Sequence, residues 1–111
     1  MKNYKVEVTQ SAIEDINDIV SYIAYERNKA TALKVKNSIY QRIRLFQNTP
    51  NMGTPYKFDE ILMKSGFRTF AVKPYIIIHR ISHGEKTVYI NRIVDGRRDF
   101  AFLYEFLIAD I

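Results

Sequence analysis

The sequence predicts an α+β fold in which an N-terminal strand and an antiparallel helical hairpin pack on a mainly antiparallel sheet, followed by a short C-terminal helical tail. Three observations predict it: an alternating run near the N-terminus, two helical-period runs joined by a short polar break, and three strand-like runs in the second half. A short connection between amphipathic helices favours a hairpin. Helices followed by a run of strands favour an α+β arrangement.

The first two elements have clear boundaries. The segment "KVEVT", Lys5–Thr9, alternates with period two and predicts a strand. The segment "SAIE" has the spacing of a capping box, which predicts that a helix begins at Ser11 and runs to about Glu26. Asn28, in "RNK", predicts the end of that helix through a left-handed turn.

A second helix is predicted from about Ala30 to Gln47. Its apolar stripe consists of Leu33, Ile39, Tyr40, Ile43 and Phe46. The turn residues of "NTPNMGTP" predict the end of the hairpin.

Three strands are predicted next, at Phe67–Val72, Tyr75–Ser82 and Thr87–Val94. The dipeptide "KP" separates the first two, "HGEK" predicts a hairpin turn, and "DGRRD" closes the third. The tail "DFAFLYEFLIADI" is predicted to be a short helix. Its aromatic residues recur all round a helix, so it either presents a partner surface or packs on the sheet of its own domain.

Composition narrows the class of protein. A chain of 111 residues is predicted to form a single domain over residues 1–111. It has no cysteine, which excludes disulfides and thiolate zinc sites. The longest apolar run is "YIII", far short of a membrane span, so we expect no membrane partner and a cytoplasmic location.

Positive charge is concentrated in the second half. The segment from Lys64 to Arg98 has eight Lys or Arg residues against two acids, 8 − 2 = +6, while the whole chain has a net charge of +5. A basic stripe favours nucleic acid or an acidic protein segment as partner, and a merely solvated basic surface is the alternative.

Several chemistries lack their motifs. The four glycines form neither a dinucleotide-binding nor a P-loop pattern. His79 and His83 are the only histidines and lack further ligands at metal-site spacing. We therefore expect no cofactor and no metal.

Metal-free RNA cleavage needs a base, cations for the developing phosphorane charge and an acid. The residues that offer these groups are Arg68, Lys73, His79, Arg80, Arg97 and Arg98. Alternate residues of a strand face opposite ways, so His79 and Arg80 are predicted on different faces and a single cluster loses members.

The serial order of "YKVEVTQSAIEDINDIVSYIA", "LFQNTPNMG", "FRTFAVKPYIIIHRI" and "VYINRIVDGRRD" resembles the RelE/ParE toxin superfamily over almost the whole chain. The resemblance implies the toxin of a type II toxin–antitoxin pair, of the kind linked to growth inhibition and plasmid stabilisation. It also implies a cognate antitoxin, encoded alongside, in a toxin–antitoxin hetero-oligomer.

The superfamily contains ribosome-dependent mRNA endonucleases, which are RelE-like, and gyrase inhibitors that act by binding, which are ParE-like. Ile76 stands where the nucleases typically have a catalytic Arg. Phe102 and Leu103 are nearest the place of the catalytic Tyr, with Tyr104 slightly beyond. The "GRRD" ending resembles the ParE-like branch, so the resemblance implies a gyrase inhibitor and leaves an mRNA interferase acting on ribosome-bound mRNA as the alternative.

These interpretations assign residues to roles. The target-binding residues are predicted to be Arg68, Lys73, Arg80, Arg97 and Arg98. The antitoxin-binding residues are predicted to be Phe100, Phe102, Leu103, Phe106 and Leu107. If the protein is a nuclease, the catalytic residues are Arg68, His79, Arg97 and Tyr104, although a core or sheet-face role for His79 is preferred.

Overall fold

The computed structural model describes residues 3–99 and 101–111 and confirms the predicted fold class. The helical elements are α1 (Gln10–Glu26), α2 (Lys29–Leu45), α3 (Glu60–Lys64), a 3₁₀ turn (Ala101–Leu103) and α4 (Tyr104–Ala109). The strands are β1 (Lys5–Val8), β2 (Thr54–Pro55), β3 (Phe67–Val72), β4 (Tyr75–Ser82) and β5 (Thr87–Asp95).

The five strands form one sheet in the order β1-β5-β4-β3-β2. Only β1 runs parallel to its neighbour, pairing Lys5 with Thr87 and Val8 with Ile90. The other pairings are antiparallel. Since β1 ends opposite Ile90, the last five residues of β5 have no strand on that side within the described chain.

Each face of the sheet is covered by its own core. On the hairpin face, α1 and α2 pack against the sheet around Ile16, Ile39, Phe46 and Ile77. On the tail face, Leu62 of α3 and Leu107 of α4 close a second core. Burial of two apolar layers from one sheet supplies most of the driving force for folding.

Both helix starts differ from the predictions. Thr9, and not Ser11, caps α1: its hydroxyl accepts from Ala12 N–H and donates to the carbonyls of Ile90 and Asn91. The hydroxyl can do both because Thr9 follows β1 directly and lies against β5. The predicted Ser11 capping box is therefore wrong.

The hairpin also differs in detail. Asn28 has extended backbone and caps α2 by accepting from Thr31 N–H, so the predicted left-handed turn is wrong. Leu33, which was predicted on the apolar stripe, is exposed, and Ala32 is buried in its place. The "NTPNMGTP" segment contains β2, and α3 follows it; neither element was predicted.

Candidate functional site

A groove of about 600 Å³ lies between α1 and the bare edge of β5. We call it the α1–β5 groove. Its apolar lining consists of Ile19, Tyr22, Ile23, Tyr75, Ile93, Val94 and Phe102. Its polar lining consists of Asp15, Asp18, Asp95, Arg97, Arg98 and Asp99. An apolar floor with charged groups at the rim is typical of a protein-binding surface.

Asp15 of α1 caps the bare edge of β5. Its Oδ2 accepts from Ile93 N–H at 2.9 Å and from Arg92 Nε at 2.7 Å, and its Oδ1 accepts from Arg92 Nη2 at 2.9 Å. The hydrogen bonds that Arg92 donates to Asp15 raise the pKa of Arg92, so this guanidinium remains charged. A side chain thus supplies the acceptor that a neighbouring strand would otherwise supply.

The turn after β5, Gly96–Asp99, forms one wall of the groove, and we call it the basic loop. Asp95 receives the side chain of Arg97 through two hydrogen bonds of 2.9 and 2.7 Å, and also accepts from Arg97 N–H. These hydrogen bonds hold the pKa of Asp95 well below its ordinary value. The positive charge of Arg97 is therefore partly neutralised by Asp95.

Arg98 differs from its neighbour because its exposed guanidinium makes no side-chain hydrogen bond or ion pair with the described residues, although its charge helps to lower the pKa of Asp95. It lines the α1–β5 groove and also a second cavity of about 370 Å³ on the tail face, beside Tyr56, Asp59 and Tyr104. Arg98 is consequently the cation of the basic loop that is available to an acidic group on either side.

A second cluster lies far from the basic loop. Arg68 of β3 pairs directly with His79 of β4, and its Nη2 donates to the carbonyls of Asn51 and Gly53 at 2.9 Å each. His79 is 0 % exposed, its ring centroid lies 4.5 Å from that of Phe46, and neither ring nitrogen has a hydrogen-bond partner among the described residues. Burial first, and the charge of Arg68 second, lower the pKa of His79 to about 3. His79 is therefore a neutral core residue.

The structure divides the five predicted target-binding cations. Lys73, Arg97 and Arg98 lie at one end of the sheet, where Gly96 N–H donates to the carbonyl of Pro74. Arg68 and Arg80 lie at the other end, on opposite faces: Arg68 points to the hairpin face, and Arg80 stacks on Tyr89 at 5.1 Å. The predicted set does not form one surface.

The four nuclease candidates are also separated. Tyr75 pairs with Asp95, next to the basic loop, and His79 lies four residues further along β4. Four residues of strand span about 13 Å. Arg97 is therefore remote from Arg68 and His79, and the half-buried Tyr104 packs against the core of the tail face.

Within residues 3–99 and 101–111, no group of three or more His, Asp or Glu side chains is placed to hold a metal ion. Over the same residues, no helix is both long and apolar enough to cross a membrane.

Residues 6–100 match the model of a protein family described as the ParE toxin of the type II toxin–antitoxin system, parDE. The chain belongs to the ParE toxin family. It is thus the toxin component of a type II toxin–antitoxin system. No curated protein matches the chain with significant similarity.

Three solved structures share the fold of this ParE-family toxin. The chromosomal ParDE system of P. aeruginosa matches with a TM-score of 0.70 and 22% identity, covering 83% of this chain and 95% of that one. The RelBE2 toxin–antitoxin complex of Mycobacterium tuberculosis matches with a TM-score of 0.63 and 18% identity, covering 84% of this chain and 98% of that one. A free double-arginine mutant of E. coli RelE matches with a TM-score of 0.66 and 7% identity, covering 98% of each chain.

The tail of this ParE-family toxin divides its predicted antitoxin-binding residues. Leu103 and Leu107 are 0 % exposed and belong to the core of the tail face, so they cannot form part of an exposed surface in this conformation. Phe102 and Phe106 are 65% and 60% exposed. Phe100 lies outside the described residues. The tail therefore packs on its own sheet through Leu103 and Leu107, while Phe102 and Phe106 remain exposed.

The residues that build the edge of the groove, Asp15, Arg92 and Asp95, were not predicted from the sequence. Asp15 lies four residues before Ile19 and so shares the groove-facing side of α1, which is a detectable signal. Asp95 lies two residues before Arg97, at a spacing that lets a carboxylate reach back to a turn amide. Arg92 carries no comparable signal, because its partner Asp15 is remote in sequence.

Proposed function

We propose that this toxin inhibits growth by binding DNA gyrase, without chemistry of its own, and that a cognate antitoxin encoded alongside neutralises it in a hetero-oligomer. The observation that carries the first part is the separation of the groups required for metal-free RNA cleavage. The buried His79, with the half-buried Arg68 opposite it, lies about 13 Å along β4 from the basic loop.

RNA cleavage of this kind needs a general base within hydrogen-bond reach of the 2′-hydroxyl and a pKa near the working pH. His79 has no exposed surface, so a substrate cannot reach it. Its pKa of about 3 is also far from the neutral working pH that such a base requires. Ile76 supplies no cation at the position that the resemblance associates with a catalytic Arg. These features favour a binding mechanism.

The α1–β5 groove supports a protein partner. Its apolar lining allows burial of a partner side chain, and Arg98 offers an exposed positive charge beside it. Burial of apolar area contributes about 25 cal/mol per Å², and a charge at the rim mainly accelerates association. The ParDE and RelBE2 structures with the same fold are toxin–antitoxin systems, which supports assigning an antitoxin to this toxin as well.

The target is tested by adding the purified toxin to a gyrase supercoiling assay and, separately, to an in vitro translation reaction with mapping of mRNA ends. We expect loss of supercoiling and intact mRNA. Replacement Arg98→Ala should weaken the effect on gyrase, whereas Lys34→Ala on the exposed side of α2 serves as the matched control. Codon-specific mRNA cleavage with normal supercoiling would establish the mRNA interferase alternative instead.

The antitoxin is tested independently of the target. The product of the neighbouring reading frame should copurify with the tagged toxin and restore the growth of cells that express it. Failure of that product both to bind and to restore growth would refute the antitoxin assignment while leaving the gyrase result intact.

A further inference from the structure

The bare edge of β5 is closed by side chains from both layers of the molecule. We call this group the edge seal; it consists of Asp15, Asn91, Arg92, Phe106 and Asp110. Asp15 belongs to α1 on the hairpin face, while Phe106 and Asp110 belong to the tail on the other face. The strand residues Asn91 and Arg92 stand between them.

An irregularity in β5 makes this meeting possible. Ile78 pairs with Arg92 but the next residue, His79, pairs with Ile90, so Asn91 is the extra residue of a bulge. A bulge bends the strand and redirects its side chains. The bulge lets the side chain of Arg92 lie on the tail face of the sheet and still reach Asp15 at the edge of β5.

On the α1 side, the contact is strong. Arg92 and Asp15 form a bidentate pair whose side chains are 20% and 15% exposed. Bidentate Arg–carboxylate pairs fix the orientation of both groups, and partial burial limits screening by salt. The additional hydrogen bond from Ile93 N–H to Asp15 ties this pair to the strand backbone.

On the tail side, Arg92 Cζ lies 5.8 Å from the centroid of the Phe106 ring, within the range of a cation–π interaction. Asn91, buried in the bulge, donates from Nδ2 to Asp110 Oδ2 at 3.0 Å. The guanidinium of Arg92 therefore contacts both the exposed ring of Phe106 and the carboxylate of Asp15.

We infer that Asp15 and Arg92 are positioning residues that couple α1 to the tail, so that the state of the α1–β5 groove determines how the tail presents Phe106. Asp15 lines the groove, and Phe102, four residues before Phe106, lines it too. A cation of a bound partner that pairs with Asp15 weakens its hold on Arg92. An apolar partner group that covers Phe106 excludes water from the Arg92–Asp15 pair and strengthens it.

This coupling specifies the chemistry of the partner. Binding of a segment that covers both the groove and Phe106 is favoured when the segment places apolar side chains over the tail and acidic side chains near Arg98. Its binding is disfavoured when it places a cation at Asp15. The statement about partners rests on the proposed function, whereas the coupling itself is a property of the free toxin.

The coupling is tested on the free toxin by hydrogen exchange of the tail amides and NMR signals of the Phe106 ring. Replacement Asp15→Asn keeps an acceptor for Ile93 N–H but removes the charge opposite Arg92. We expect a shift of the Phe106 ring signals and about three- to tenfold faster exchange over residues 104–110, with α2 unchanged. Asp18→Asn, in the same groove but without a bond to Arg92, should change neither.

A second variant separates positioning from general destabilisation. Arg92→Lys keeps a charge for Asp15 but loses the planar stack and the bidentate geometry. It should accelerate exchange in the tail and leave the exchange of α1 unchanged. An unaltered tail in both Asp15→Asn and Arg92→Lys, or equal acceleration throughout the chain, would overturn the inference.

Partner binding provides the final test. If the adjacent gene product binds, the loss of affinity caused by Asp15→Asn and by Phe106→Leu should be non-additive, because one guanidinium serves both sites. Additive losses would contradict coupling between the sites. Absence of any binding would refute the antitoxin assignment, but the exchange results on the free toxin would still decide the coupling.

Discussion

His79 places an ionisable ring in the core, where its pKa is lowered to about 3 by burial and by Arg68. The unfolded chain has an ordinary His pKa near 6.5, so the unfolded state binds more protons between these two values. The cost of keeping this ring neutral in the core is absent above about pH 6.5 and grows as the pH falls toward 3, so stability is lost in that range. Between pH 7.5 and pH 5 we expect a loss of about 2 kcal/mol in the free energy of unfolding.

Urea titrations at several pH values measure this slope. Replacement His79→Phe removes two unpartnered ring nitrogens from a site beside Phe46, so it should flatten the slope and stabilise the protein at neutral pH by about 1–3 kcal/mol. His83→Asn, which removes the other histidine, should retain the slope. A wild-type slope in His79→Phe would exclude this explanation.

Gly53 lies close to Thr69 of β3 and to the ring of His79. Its φ of +91° lies in the region that favours glycine, and a methyl group there would collide with the carbonyl oxygen of Thr69. Replacement Gly53→Ala should therefore cost about 2–3 kcal/mol of unfolding free energy, measured by urea denaturation. Gly84→Ala is the control, because open space surrounds Gly84. Equal stability of both variants would contradict the described packing.

At the scale of elements, Thr9 joins the start of α1 to β5. Replacement Thr9→Ala removes one capping bond and two bonds to strand carbonyls, which should lower the unfolding free energy by about 1–2 kcal/mol. Ser11→Ala changes an exposed side chain and should stay within about 0.5 kcal/mol of wild type. Both are measured by chemical denaturation, and a larger effect at Ser11 would restore the capping box predicted from the sequence.

An element could be predicted from the sequence when it is long and is bounded by turn residues. The ranges of β3 and β4 were predicted correctly, and β5 extends one residue further, because turn residues bound long apolar runs. β2 has two residues and α3 has five, too few to show a period. Thr9 was overlooked as a cap because its additional partners lie on β5, more than eighty residues away.

The candidate site was predictable by residue type and not by arrangement. Composition identified the cations, and strand alternation separated His79 from Arg80. Register was required to place Arg68 opposite His79 and Arg97 at the far end of β4. The Asp15–Arg92 pair depends on a bulge that was not predicted from the sequence.

At the scale of the whole molecule, the excess positive charge predicts salt-sensitive association with an acidic partner. The net charge is +5, and the exposed guanidinium of Arg98 in the basic loop lies beside the groove. Raising the salt concentration from 0.05 to 0.5 M should slow association with the antitoxin by about tenfold or more and change dissociation much less. Stopped-flow measurements test this, and Arg98→Ala should show a smaller salt dependence than Lys34→Ala. A salt-independent association rate would rule out electrostatic attraction at this loop.

The parallel pairing of β1 with β5 has a consequence for biosynthesis. Lys5 leaves the ribosome early but pairs with Thr87, so β1 cannot pair until β5 has been synthesised. Chains whose sheets need such distant segments complete their folding late. A nascent or truncated toxin therefore lacks the edge of β5, the groove and the basic loop together. Any activity of this face of the toxin thus begins only after β5 has left the ribosome.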